Sequence, residues 1–233
     1  MDDLPWEEVD AVLERTARRL LTLGGVTAPP VDALALGAEL FGLEVVLATT
    51  APRRQKRELL TVTLPATAGT EERHLAAARA VAERHKADVL RSLGLEPTAR
   101  LGLAGGTLMK RLAERILVPS AWFRRAVADL SGDLYALKER FATTSYELLA
   151  DRWLELTKSA VIACVDDDVT LWRRSNVPRV GKGLAPAELA CLAAVRAQGA
   201  PAEVNQGGWH ARAWPIPRGA RIMVWSQVAV DES

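Results

Sequence analysis

Apolar residues recur at helical spacing through most of the first 157 positions. In residues 6–23, Val9, Val12, Leu13, Leu20 and Leu21 fall near a 3.6-residue period, and Gly24-Gly25 ends the segment. Pro29-Pro30 interrupts the chain, and Val31-Asp32 then opens a second helix carrying Leu34, Leu36, Leu40 and Phe41, closed by Gly42. Leu43–Ala48 and Leu59–Leu64 are short β-prone runs, read as two strands joined by a solvated turn that holds Arg53, Arg54, Lys56 and Arg57. Helix resumes at about 70–92, and the Gly- and Pro-containing stretch 95–107 reads as a loop.

Between 107 and 157 the pattern predicts three or four helices. Leu108, Leu112, Ile116 and Leu117 form one stripe, broken by Pro119-Ser120; Trp122, Phe123, Val127 and Leu130 form the next. Asp133 then caps a helix with Leu134, Leu137 and Phe141, and Thr144 or Ser145 caps another with Leu148, Leu149, Trp153 and Leu156. The texture changes near Lys158. Two strands are expected in 159–174 around Asp166-Asp167-Asp168, a helix over 186–198, and a strand pair formed by Trp209–Trp214 and Arg221–Val228. The expected architecture is α+β: a mostly helical domain over 1–157 with a small sheet, then a compact sheet-plus-helix domain over 158–233.

Composition narrows the classes. A hydrophobic fraction of 49% with 25% charged residues is that of a folded globular chain. No apolar run approaches the ~20 residues needed to span a bilayer, so no membrane association is expected. Two cysteines, Cys164 and Cys191, are too few for a disulfide framework, and the acidic N-terminus lacks a secretory pattern. A cytoplasmic location follows as the expectation. A net charge of +1 means that any nucleic-acid contact must come from a local patch.

Three segments in order carry a resemblance: P-P-V-D at 29–32, R-H-L-A-A-A-R-A-V-A at 73–82 and L-A-E-R-I-L-V-P at 112–119. Together they resemble the ImmA/IrrE family of zinc metallopeptidases, whose central helix carries His-Glu-x-x-His. L-K-E-R-F-A-T-T-S-Y-E-L-L-A-D-R-W-L-E-L at 137–156 is similar to that family's closing helix-turn-helix-like pair, placed here at 133–157. The resemblance implies a zincin-like fold over roughly 6–157. Aligned on Arg73, the two zinc-binding histidines fall on Ala78 and Ala82 and the catalytic glutamate on Arg79; counted back from Pro119, the third ligand falls on Gly106. Alanine and glycine offer no lone pair to a metal, and Arg79 would set a permanent cation beside it.

The three histidines do not replace the missing set. His74 and His85 are 11 residues apart, about 16 Å along a helix, too far to share one ion with Zn–N bonds near 2 Å. His210 lies in the C-terminal region. The stripe His74, Ala78, Val81, His85 and Val89 reads as a packed helix face with two peripheral histidines. The expectation is a peptidase scaffold without peptidase chemistry, with no catalytic residue, metal or cofactor. A zinc peptidase with a non-standard site is the contrary reading.

Family members cleave helix-turn-helix repressors of stress responses or mobile elements, so the resemblance implies a protein partner of that kind, bound rather than cut. A second reading is a DNA-associated transcriptional regulator using Arg173, Arg174, Arg179 and Lys182 on phosphates or an acidic partner. Base reading by the helix after Ser145 is not expected, because it offers Tyr146, Glu147, Asp151, Arg152 and Glu155, a mostly acidic face. The tryptophans Trp172, Trp209, Trp214 and Trp225 read as the core of a small domain, with a tryptophan-lined pocket as the alternative. Asp166–Asp168 reads as a solvated turn rather than a cation site, since the carboxylates are consecutive rather than alternating.

Overall fold

The computed structural model describes residues 5–48, 61–98, 102–167, 169–178, 181, 183–217 and 220–228. They form an α+β protein in two compact units, residues 1–145 and 146–233. The division falls after Ser145, twelve residues before the expected change at 158. It assigns the two helices of the expected helix-turn-helix-like pair to different units.

The first unit contains α1 (Trp6–Leu23), α2 (Ala33–Phe41), β1 (Glu44–Ala48), β2 (Thr61–Pro65), α3 (Thr70–Arg84), α4 (Lys86–Ser92), α5 (Gly102–Leu117), α6 (Ser120–Asp129) and α7 (Leu134–Arg140). Asp32 caps α2 by accepting from the amides of Leu34 and Ala35 at 3.0 and 2.9 Å. Gly42 ends α2 with φ 62°, a left-handed backbone that glycine adopts without a Cβ penalty. The expected helix 70–92 is two helices, breaking at His85, and α5 begins at Gly102 inside the stretch read as a loop. Helix α5 packs against both α1 and α3, and α2 lies on α3. Burial of Leu108, Met109, Leu112, Ala113 and Ile116 outweighs the poor helix propensity of the glycines that precede them. Arg115, itself buried, fastens α5 to α1 through Asp10 at 2.8 Å and Glu14 at 3.4 Å.

Strands β1 and β2 pair in parallel, Glu44 opposite Thr61 through Ala48 opposite Pro65. That departs from two strands joined by a turn, because a hairpin turn produces antiparallel neighbours. The connecting basic residues Arg53, Arg54, Lys56 and Arg57 lie outside the described residues.

The second unit contains α8 (Tyr146–Leu156), β3 (Ala160–Asp166), β4 (Val169–Ser175), α9 (Pro186–Gln198), β5 (Ala202–Gln206), β6 (Trp209–Pro215) and β7 (Arg221–Val228). The five strands make one antiparallel sheet in the order β4-β3-β7-β6-β5. Alternation along β7 sorts the two faces. Ile222 and Val224 join Val165, Ala211 and Ala213 against α9, which contributes Ala187, Cys191, Leu192 and Val195. Trp225 points to the opposite face and stacks on Trp153 of α8, ring centroids 4.9 Å apart at 17°. The sheet is thus covered by one helix on each side.

Candidate functional site

Helix α3 carries Glu71 and Glu72 in its first turn and Arg84 in its last, charges that complement the helix dipole. Its buried face consists of His74, Ala77, Ala78, Val81 and Ala82. Ala78 and Ala82 retain 0% of their accessible surface, while Arg79 is exposed on the other side of the helix. Gly106 is exposed on α5, where an added Cβ would meet nothing within 4 Å. Two of the four positions are thus sealed in the core and two are exposed. The zinc implied by the peptidase resemblance does not fit here, since Ala78, Ala82 and Gly106 supply no donor atom and nothing opens above the two alanines. Among the described residues, no group of three or more His, Cys, Asp or Glu side chains is placed to hold a metal ion.

His74 has a use the sequence did not disclose. Instead of sitting at the periphery, it is buried, and its Nδ1 accepts the Ala33 N–H at 3.2 Å, tying α3 to the first residue of α2. Acceptance at Nδ1 requires the neutral ring with its proton on Nε2. Burial lowers the His74 pKa below 6.5, partly opposed by the Asp32 carboxylate 3.7 Å away. As pH falls below 6.5 the unfolded chain takes up this proton before the folded one does. The contribution of neutral His74 is therefore complete above that pH and lost as pH falls through the lower folded value. Denaturant titrations at pH 7.5 and 5 should show weaker folding at pH 5, with the difference reduced in His74→Gln; an equal difference in the variant would clear His74 of the effect. His85 lies half-buried, edge-on to Phe41 with centroids 5.3 Å apart, and 3.2 Å from Asp88.

Of the four basic residues singled out in the second unit, Arg173 and Arg174 are engaged within it. Arg173 and Arg174 lie on β4 rather than in a loop. Arg173 reaches the buried carboxylate of Glu188 at 3.0 and 3.3 Å and the Gly181 carbonyl at 2.8 Å. Glu188 also accepts the Ser226 hydroxyl at 2.6 Å and the Ala185 N–H at 2.6 Å, so one carboxylate joins α9 to β4 and β7. Arg174 pairs with Asp151 of α8 and lies over the Trp172 ring at 5.0 Å. Arg179 and Lys182 lie outside the described residues.

On α8, Glu155 is the one exposed residue. Tyr146, Glu147 and Asp151 are half-buried, so the accessible side of the helix is mostly acidic and ill suited to base edges. Of the four tryptophans, Trp214 and Trp225 are buried and Trp153 of α8 fills the space against both rings, whereas Trp172 and Trp209 are half-buried. Burial raises both thiols, Cys191 to about 11, as expected of small core residues.

One concave surface was not anticipated. A cleft of about 430 Å³ lies between α2 and β1, lined by Leu34, Ala35, Ala38, Val45, Leu47 and Arg73, with Leu43 and Glu44 completing it. Apolar residues on two consecutive elements hinted at it, but which of them stay uncovered depends on long-range packing.

Comparisons with known proteins add the fold. No family model matches the chain, and no curated protein matches it. A solved structure described as a Mycobacterium tuberculosis transcriptional regulator superposes with a TM-score of 0.66 at 19% identity, over 97% of this chain and 81% of that one. Likeness at that identity establishes a shared α+β fold. Among the described residues no helix is long and apolar enough to cross a membrane.

Proposed function

We propose that this protein is a catalytically inactive relative of the ImmA/IrrE metallopeptidases, acting in the cytoplasm as a regulatory protein-binding module. Its partner on this reading is a helix-turn-helix transcriptional repressor or a related regulator of stress responses or mobile elements, held without being cleaved. The observation that carries the reading is the sealed pair Ala78 and Ala82: the two positions aligned with metal ligands are closed, donor-free core positions. The likeness to a solved transcriptional regulator supports a regulatory role.

The test is capture with the full chain followed by intact-mass analysis of what is bound. A repressor-like partner recovered at full length is the expected result. A partner shortened only when the chain is present, or a chelator-sensitive cleavage, would overturn the reading. The DNA-associated alternative is not favoured, because Arg173 and Arg174 are held by Glu188 and Asp151.

A further inference from the structure

The cleft between α2 and β1 has an apolar floor and opposite charges at its two ends. Leu34, Ala35 and Ala38 form one wall, and Val45 and Leu47 the other. Glu44 stands at the start of β1. Arg73 is held near the other end. The Ala48 carbonyl at the end of β1 accepts the Ala66 N–H at 3.1 Å, and the Arg73 Nε donates to the Ala68 carbonyl at 2.9 Å, two residues further along. From Glu44 to Ala48 a strand rises about 13 Å, the span of four extended residues.

Neither end has its charge answered within the described residues. Glu44 makes no ion pair there, and the Arg73 bond to Ala68 uses Nε, leaving both Nη groups for an outside acceptor. A guanidinium fork is suited to a carboxylate, and a carboxylate to an ammonium or guanidinium. The volume falls within the roughly 300–1,000 Å³ of ligand clefts, and opposite charges set apart by the length of β1 favour a chain over a compact molecule.

We propose that this cleft binds an extended peptide segment in which an apolar stretch is flanked by a basic residue, seated at Glu44, and an acidic residue, seated at Arg73. The proposal rests on the reading of the protein as a non-cleaving protein-binding module and names the recognition surface and the code it reads. Ala35 and Ala38 are exposed on α2, so the cleft is reached without opening the core.

The experiment pans a phage-displayed random heptapeptide library against the immobilised full chain and remeasures the enriched sequences as fluorescein-labelled peptides by anisotropy. The expected outcome is enrichment of apolar residues with opposite charges on either side. Ala38→Trp, which fills the cleft from an exposed position, should weaken binding at least tenfold while leaving the thermal melt unchanged. Glu44→Lys should replace the basic preference with an acidic one. No charge-apolar-charge enrichment, unchanged affinity in Ala38→Trp, or retention of the basic preference in Glu44→Lys would each overturn the proposal. Mass analysis of the bound peptides separates it from the functional reading: cut peptides would defeat the non-cleaving role while leaving the cleft in place, whereas intact peptides indifferent to Ala38→Trp would defeat the cleft alone.

Discussion

Introducing Ala78→His, Arg79→Glu and Ala82→His together should cost the fold roughly 2–6 kcal/mol and yield no stoichiometric zinc. Both alanines are fully buried on α3, the helix against which α2 and α5 pack. Each imidazole would overfill that face, at about 1–3 kcal/mol per site. Their nitrogens would also enter the core without partners. Arg79→Glu alone should change stability by no more than about 0.5 kcal/mol, since Arg79 is exposed. Urea denaturation of the single and triple variants, with elemental analysis of the purified protein, checks both parts. A triple variant as stable as its parent and carrying one zinc per chain would mean that α3 can still form a metal site.

Glu188→Ala should lower stability by about 3–5 kcal/mol, the range for removing one partner of a buried ion pair. The change leaves Arg173 without its counter-charge and withdraws the acceptor of the Ser226 hydroxyl and the Ala185 N–H. Glu188→Leu combined with Arg173→Leu should recover part of that loss, because apolar replacement of both partners removes the uncompensated charge. In a double-mutant cycle the coupling should lie near 0.5–3 kcal/mol. A loss below about 1 kcal/mol for Glu188→Ala would show that α9 is held to the sheet without this carboxylate. The same cycle bears on the phosphate-binding reading of Arg173, since an arginine committed to Glu188 must break that contact to reach DNA.

Helix positions in the first unit were legible because helix formation is read from neighbours three and four residues apart. The Asp32 cap, the Gly42 stop and the stripes of α1, α2 and α6 needed no distant information. The break at His85 was not legible: neither glycine nor proline marks it. Strand β5 was missed because Ala202–Gln206 is a short, polar sheet edge without a β-branched run. The boundary near 158 followed local texture, whereas α8 is assigned to the second unit, where Trp153 stacks on a tryptophan 72 positions further along the chain.

The site divides in the same way. That Ala78, Ala82 and Gly106 carry no metal donor is a property of residue type, and the sequence alone determined it. It also determined the α+β class, through the periodicities of apolar positions. Only the tertiary structure decided that the two alanines are sealed while Gly106 faces outward, that Arg173 is answered by Glu188, and that a charged-ended cleft stays open beside β1. The physical reason is that chemistry belongs to a single side chain. Exposure and pairing belong to whatever distant segment packs, or fails to pack, against it.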